Sequence, residues 1–309
     1  MSTTPANLQL SASMYKRTPL RISTMVATAH FGTTLNLNQL FTDITPILIP
    51  LWYADQGILK FEHRDQVVGE SHRDALTKRR ISKDSFFNQS TLVVRRSVPA
   101  GGWKEVNLKL FANGGVQMTG IISEEFARET LTWIIAELGR LERSPFAEPA
   151  VVQRFNVQLV NSDYSVGCSL RRDRLHEILT TQYGIFSLFE STIYQGVNTK
   201  YYHNVKGDTT RPGQCACKTI CKGQGTGDGE GQCKRITMSI FQTGNIIITG
   251  ARNMEQIMIA YEFLNKVLDK HAGEIIRAAA VPAAAATAVK APAKAAAKTK
   301  TKAPVAITA

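Results

Sequence analysis

Two stretches of the chain, LKLFANGGVQMTG at residues 108–120 and MSIFQTGNIIITG at residues 238–250, carry the same pattern 130 residues apart. In both, a short alternating run ends on phenylalanine, a glycine-containing turn follows, and a second run ends on threonine and glycine. FGTTLNLNQL at residues 31–40 likewise corresponds to VGCSLRRDRL at residues 166–175, so the starts of two halves match as well as their ends. A pattern that recurs in the same order indicates an internally duplicated protein.

Each half closes with a stretch of helical periodicity. Residues 123–142 place apolar side chains on one face, and Ser123 stands at the N-cap position. In residues 253–271, Asn253 and Gln256 have the spacing of a capping box. We expect each helix to lie across its own sheet. The core-facing positions are Phe126, Thr130, Trp133, Ile134 and Leu141 in the first helix and Ile257, Tyr261, Leu264 and Leu268 in the second.

The repeated strands predict a sheet with two chemically different faces, because successive side chains of a strand point to opposite sides. One face is apolar and suits a core covered by helices; it carries Leu108, Leu110, Val116, Met118, Ile240, Ile246 and Ile248. The other face mixes aromatic, aliphatic and hydroxyl groups, and it carries Lys109, Phe111, Gln117, Thr119, Ser239, Phe241, Ile247 and Thr249. A surface so apolar, with few charges, usually has a partner.

Phe111 and Phe241 decide how this second face is interpreted. Both could be core residues, since a phenylalanine in a strand is more often buried than exposed. If Leu110 and Ile240 lie beneath the helices, however, their neighbours must point the other way. We therefore predict that both rings lie on the face away from the helices.

Composition limits the class of protein. The 309 residues are 43% hydrophobic, enough for a substantial core, and 37 Lys and Arg against 25 Asp and Glu give a net charge of +12, which favours a polyanionic partner. The start of the chain lacks the apolar core of a signal peptide, and no run of about 18 apolar residues occurs. The sequence therefore predicts an intracellular protein that is neither secreted nor embedded in a membrane.

The order of these segments resembles the TATA-binding protein family, and within it the TATA-box-like proteins of large DNA viruses. The likeness spans about residues 21–275. It is carried by MVATAHFGTTLNL from residue 25, YQGVNTKYY from residue 194, and the two F-x-x-G-x-x-x-x-T-G signatures of the repeated strands.

The resemblance implies an α+β fold of two pseudosymmetric repeats that form one curved antiparallel saddle, with helices on the convex face and DNA on the concave face. The repeats are expected at residues 21–142 and 152–275, after an N-terminal arm at 1–20. Beyond residue 277 the composition changes to alanine, lysine and proline, so residues 278–309 are predicted to be a disordered basic tail. This tail either screens phosphates or acts as a solubilising extension.

The resemblance also implies minor-groove binding, in which inserted aromatic wedges unstack base steps and bend the duplex. The family is itself the standard example of this mechanism, which is taken from it and not worked out from the residues. By motif, Phe111 and Phe241 fall on the wedge positions of the third strands. Phe87 and Tyr194 fall near those of the preceding strands, and Phe86 replaces Phe87 if the register slips by one.

Other positions carry over as DNA contacts. Thr119 and Thr249 match hydroxyls that approach minor-groove acceptors, and Val26 and Ile247 match apolar residues against base edges. The family's asparagines are replaced here by Thr24 and Leu159, and Asn161, two residues on, substitutes for one of them. The remaining candidate contacts are Lys109, Gln117, Arg95 and Lys200, of which the last two are expected to reach phosphates flanking a bend.

Each repeat contains an insertion. Residues 206–235 are glycine-rich and hold cysteines in the spacing C-x-C-x3-C-x11-C, namely Cys215, Cys217, Cys221 and Cys233. Four thiolates suit one structural zinc ion, which would order a segment that has no hydrophobic core. The alternatives are reduced thiols on a mobile loop or an oxidation-prone pair, while Cys168 is expected to serve packing. Residues 53–85 are charged and are expected to form a solvated loop touching DNA flanks or another protein; His63 and His72 there are weak evidence for a metal.

The function implied by the resemblance is transcription initiation in the nucleus or viral factory of an infected cell. An initiation factor or RNA polymerase subunits would contact the convex helices. The alternative is an architectural or virion-associated nucleoprotein that binds DNA without promoter specificity. No nucleophile, base and orienting residue form a set, and no carboxylate cluster favours nuclease chemistry, so we expect no enzymatic activity.

Overall fold

In the computed structural model, the described residues form eleven strands joined in one antiparallel sheet. The structure describes residues 16–77, 88–204, 210–215, 217, 224–227 and 233–277. The strands are β1 (Arg21–His30), β2 (Gly57–His63), β3 (Gln66–Gly69), β4 (Gln89–Ser97), β5 (Trp103–Phe111), β6 (Gly115–Ile121), β7 (Gln153–Ser165), β8 (Phe186–Leu188), β9 (Val197–His203), β10 (Lys234–Ile240) and β11 (Asn245–Ala251). The predicted α+β class with an antiparallel sheet is confirmed, whereas the predicted tail lies outside the described residues.

Helices accompany both halves of the described chain. They are α1 (Leu37–Asp43), a 3-10 turn (Thr45–Ile47), α2 (His72–Thr77), α3 (Glu124–Gly139), α4 (Arg172–Thr181), α5 (Met254–Lys270) and α6 (Ala272–Ile275). Both predicted caps are confirmed. The Ser123 hydroxyl accepts from the Phe126 N–H at 3.1 Å, and the Asn253 side chain accepts from the Gln256 N–H at 2.9 Å.

The order of the strands is β3-β2-β4-β5-β6-β1-β7-β11-β10-β9-β8. The first strands of the two halves, β1 and β7, pair at the centre. Next to them lie the last strands, β6 and β11, and then the strands before those, β5 and β10. Equivalent strands of the two halves therefore take equivalent places on either side of the central pair.

The long helices cover one face of this sheet and form a single core with it. Leu108, Leu110 and Ile240, which were predicted to face the core, have no measurable exposure, whereas the predicted core residue Tyr261 of α5 is only partly buried. Helix α3 adds Leu131 and Ile134, which are equally buried, while its Trp133 is half-buried under the Arg96 guanidinium. The apolar side chains of the helices and those of the strands therefore pack together in one layer between the helices and the sheet.

Two glycines show that the halves share fine geometry as well as order. Gly120 has a φ of +83°, and a Cβ there would lie 2.6 Å from the Glu105 carbonyl oxygen. Gly250 has a φ of +96°, and a Cβ there would lie 2.9 Å from the Arg235 carbonyl oxygen. Both glycines lie one residue before the end of the second strand of a repeated hairpin and approach the backbone of the first strand. The threonine-glycine ending of the motif is thus fixed by a left-handed backbone and a close approach.

The expectation that residues 53–85 form a solvated loop is wrong for much of their length. Residues 57–69 form strands β2 and β3 at one edge of the sheet. Ile58, Leu59 and Phe61 are buried to within 1% of complete, so this part of the insertion contributes to the core. The apolar run GILKF at residues 57–61 is followed directly by a strongly charged stretch, which dominates the composition of the insertion.

The two histidines of this insertion have separate partners. His63 is buried, and its ring nitrogens lie 2.7 Å from the Ser90 hydroxyl and 2.9 Å from the Asn38 amide oxygen. The Nδ1 of His72 lies 2.6 Å from a carboxylate oxygen of Glu105. Within the described part of the chain these histidines form no common metal site.

We expect Gly120→Ala and Gly250→Ala each to lower the free energy of unfolding by roughly 1–3 kcal/mol, because a Cβ would be strained by the positive φ and would strike a carbonyl oxygen. Urea unfolding followed by circular dichroism measures the loss. Gly139→Ala, at a helix end with open space around the new methyl group, is the matched control and should cost nothing. Equal stability of all three variants would contradict the close approach.

Candidate nucleic-acid interface

The sheet carries a second face, opposite the long helices, which we call the open face. Its side chains alternate with the buried ones, as the sequence predicted. Phe111 and Phe241 are half-buried there, while Leu110 and Ile240 beside them are fully buried. On the central strands the open face consists of Val26, Lys109, Phe111, Gln117, Thr119, Asn161, Thr237, Phe241, Ile247 and Thr249.

An aromatic pair stands on the open face of the second half. The rings of Tyr194 and Phe241 lie 5.8 Å apart in an edge-to-face arrangement, and Tyr194 keeps 40% of its surface exposed. Gly196 lies beneath them, and a Cβ on it would approach Tyr194 to 2.9 Å and Phe241 to 3.2 Å. The backbone therefore leaves room for two rings side by side, and the predicted couple is brought together.

The corresponding position of the first half is only partly described. Phe111 ends β5 opposite Gln89 of β4. Phe87, the predicted second ring, and its alternative Phe86 lie outside the described residues. The wedge role of both stays a prediction.

Polar side chains cross the middle of the open face in a transverse row. In the second half, Asn161, Thr249, Thr237 and Lys200 stand opposite one another on successive strands. The Thr249 hydroxyl donates to the Asn161 amide oxygen, and the Lys200 Nζ lies 3.0 Å from the Thr237 hydroxyl. In the first half the row continues through a different set, which is Val26, Thr119, Asn107 and Val93. Successive strands thus place hydroxyl, amide and small apolar groups in one line.

Asn161 lies on the open face of the strand pair that joins the two halves. It pairs across β1 and β7 with Thr24, one of the two positions where the family's residue is lost, while Leu159 pairs with Val26. Because its amide oxygen accepts from Thr249, its amide nitrogen is left as a donor. A donor suits the acceptors that every base pair shows in the minor groove.

The outer strands of the second half form a cationic area. Burial, together with the nearby charge of Arg235, lowers the pKa of Lys200. Arg235 is exposed and shares the open face with Thr237, two residues along β10. Two neighbouring cations that repel each other are stabilised by an anion. The strand alternation could have identified Arg235, which the sequence reasoning missed.

Arg95 is not a phosphate contact. Only 4% of it is exposed, and its guanidinium donates to the backbone carbonyl oxygens of Leu51, Tyr53 and Asp55. The prediction placed it on the right strand but overlooked the loop before β2, whose carbonyl groups it satisfies. Arg95 is therefore a structural residue.

Two exposed apolar residues extend the open face and were also missed. Phe186 and Leu188 of β8 are 54% and 57% exposed, while Ser187 between them is buried. Phe186 pairs with Lys200 and Leu188 with Asn198 of β9. The alternation of FSL was the available signal, but three residues are too few to predict a strand.

Three of the four predicted metal ligands converge. The sulfur atoms of Cys215, Cys217 and Cys233 lie within 4.8 Å of one another, and Cys233 is buried just before β10. Sulfurs of a tetrahedral zinc site are separated by about 3.8 Å, given zinc–sulfur bonds of roughly 2.3 Å. The cluster therefore fits a metal ion. Cys221 lies outside the described residues, and Cys168 packs against the core as expected.

The sequence is similar to known proteins of one family. The family model described as "Transcription factor TFIID (or TATA-binding protein, TBP)" matches residues 231–271. A "TATA-box-binding protein-like" protein of Acanthamoeba polyphaga mimivirus is 28% identical over 269 residues, which cover 82% of this chain and 65% of that protein. The resemblance to the TATA-binding protein family is confirmed.

The chain spans about 65% of the length of the curated relative that it matches. Among solved structures, a search matches Methanococcus jannaschii TBP with a TM-score of 0.42 and 18% identity, covering 82% of this chain and 97% of that one. Within the described residues, no helix has both the length and the apolar character needed to cross a bilayer.

The two faces of the sheet should respond differently to truncation. Leu110→Ala and Ile240→Ala should each lower the free energy of unfolding by roughly 2–5 kcal/mol, because they leave cavities in the core. Phe111→Ala and Phe241→Ala should each cost less than either, because part of each ring is already in water. Urea unfolding of the four variants measures this. A phenylalanine variant as unstable as the leucine variant would place that ring in the core.

Proposed function

We propose that this protein is a TATA-binding-protein-like transcription initiation factor that binds double-stranded DNA in the minor groove through its open face. The observation that carries this proposal is the second-half pair of partly exposed rings, Tyr194 and Phe241, beside a transverse row of hydroxyl and amide groups. Family likeness supports the biological role.

The shape we propose is a pseudosymmetric saddle, with the open face on its concave side. Open sheets of more than about ten strands rarely stay flat, since the twist of each strand accumulates. The described sheet has eleven strands and joins its halves in mirrored order. These two facts support a curved surface wide enough for a duplex.

The proposed readout combines insertion with groove contacts. Phe111 and the Tyr194–Phe241 pair would unstack base steps, with Phe87 as the fourth ring. The Thr119 and Thr249 hydroxyls and the Asn161 amide nitrogen would meet acceptors of the bases. Such contacts distinguish A·T from G·C pairs but not a full sequence. The other residues proposed to line the groove are Val26, Ile247, Gln117 and Lys109.

The positive charge for phosphate binding is proposed to come from Lys200 and Arg235. The lowered pKa of Lys200 marks an ammonium that gains from an anionic neighbour.

The helix-covered face is proposed to bind other proteins. We propose an initiation factor or polymerase subunits as its partners, in a nucleus or viral factory. Helix α5 exposes Met254 and Met258 there. No catalytic role is proposed.

Binding to AT-rich and GC-rich duplexes tests this function. We expect tighter binding to the AT-rich duplex, together with bending seen as a rise in energy transfer between dyes at the duplex ends. Phe241→Ala and Phe111→Ala should each reduce both binding and bending, because base unstacking needs the rings. Met258→Ala, a truncation of an exposed apolar residue on the helix face, is the matched control.

Two results would count against the proposal in different ways. Equal affinity for both duplexes, with no bending, favours the alternative of an architectural nucleoprotein that coats DNA without promoter choice. Failure to bind either duplex removes nucleic-acid recognition altogether.

We also propose that the cysteine cluster holds a structural zinc ion, with Cys215, Cys217 and Cys233 as ligands and Cys221 as the fourth. The ion would tie the insertion between β9 and β10 to the start of β10.

Zinc measured by atomic emission should approach one ion per chain in the wild type and fall sharply in Cys233→Ser. Cys168→Ser, outside the cluster, should retain the metal. Purified protein with less than a tenth of an equivalent of any transition metal, after expression with added zinc, would refute the site.

A further inference from the structure

We infer that DNA engages the two halves of the open face unequally, with the phosphate contacts made by the second half and the outer part of the first half closed by the protein itself. This inference rests on the DNA binding proposed above. It concerns residues 51–55 and 71–77, which we call the cover.

The charge of the two halves differs at equivalent positions. Lys200 and Arg235 flank Thr237 in the second half. In the first half, Asn107 is equivalent to Thr237 and Glu105 is equivalent to Arg235, because the repeats are offset by 130 residues. Val93 pairs with Asn107 and is therefore equivalent to Lys200. A lysine and an arginine are thus replaced by a valine and a glutamate. A phosphate is attracted by the lysine and the arginine and repelled by the glutamate.

The cover neutralises Lys60, the lysine of strand β2. Lys60 of β2 pairs with Val93 across the sheet and is 7% exposed. Its ammonium group contacts the carboxylates of Glu62 and Asp74, the latter on α2. Burial alone would lower the pKa of Lys60, but the hydrogen bonds to these two carboxylates raise it overall. An ammonium held between two carboxylates is not available to a phosphate.

Two further contacts fix the cover against the sheet. The Glu105 carboxylate accepts the backbone N–H of His72 at 2.9 Å, at the start of α2. Arg95 holds the other part of the cover through the carbonyl oxygen atoms of residues 51, 53 and 55, and its guanidinium lies 5.3 Å from the centre of the Trp103 ring. All three sheet residues, Lys60, Arg95 and Glu105, are therefore occupied by the cover.

The consequence is a directional complex. A duplex on the open face would meet cations and exposed apolar side chains at the second-half end, at Lys200, Arg235 and Phe186. At the first-half end it would meet the cover in place of the sheet side chains Lys60 and Arg95, which the cover occupies. Unequal ends give a saddle one preferred orientation on a DNA element whose two ends differ.

Salt dependence of binding tests this inference with a matched pair of variants. Arg235→Gln should reduce the slope of log affinity against log salt by about 0.9, the loss of one phosphate contact. Glu105→Gln keeps an acceptor for His72 and should change affinity by less than about twofold, since distant charges are screened. Thermal unfolding of both variants confirms that they fold.

Crosslinking to a duplex gives an independent readout. A benzoylphenylalanine placed at Phe186 should crosslink to DNA, and one placed at Trp103, which is 46% exposed on the first-half end, should not. Equal crosslinking, or a Glu105→Gln gain as large as the Arg235→Gln loss, would overturn the inference while leaving DNA binding intact. A wild-type protein that binds no duplex would instead refute the proposed function, and this inference with it.

Discussion

The pairing of β1 with β7 is the interaction on which the rest of the structure depends. It joins two halves that would otherwise each end in an unpaired strand, and it makes one open face from two. The pairing is not regular, because its register shifts at three places, between Ile22 and Thr24, between Val26 and Ala27, and between Thr28 and His30. Irregularities of this kind bend a strand and increase its twist. Among the described strand pairs, the central pair has the most register shifts.

The sequence was most informative where structure depends on neighbouring residues. The helix caps at Ser123 and Asn253 and the alternation around Phe111 and Phe241 follow from local spacing, and all of them are found. Arg95 shows where such reasoning fails. Its strand face was predictable, but the carbonyl groups that bury it come from residues about 40 positions earlier. What covers a side chain depends on distant parts of the chain, which periodicity does not report.

The same limit explains the other differences. The sequence predicts a loop at β2 and β3 because the charged residues from 62 to 84 dominate the composition of the insertion, and it does not indicate β8 because that strand has three residues. The repeat offset of 130 residues already relates Glu105 to Arg235. Only the strand pairing shows that both residues lie on the open face, where their opposite charges matter for an anionic partner. Duplication copied the backbone of the halves, as Gly120 and Gly250 show, and left their surface charges free to diverge.

The two outermost strands have a consequence for the behaviour of the protein in solution. A wide sheet presents unpaired N–H and carbonyl groups only at its two edges, where a strand of another molecule can attach. Here those edges are β3, with four residues, and β8, with three. Edges so short offer few hydrogen bonds to an incoming strand, so the protein can expose the open face without its sheet growing from one molecule into the next.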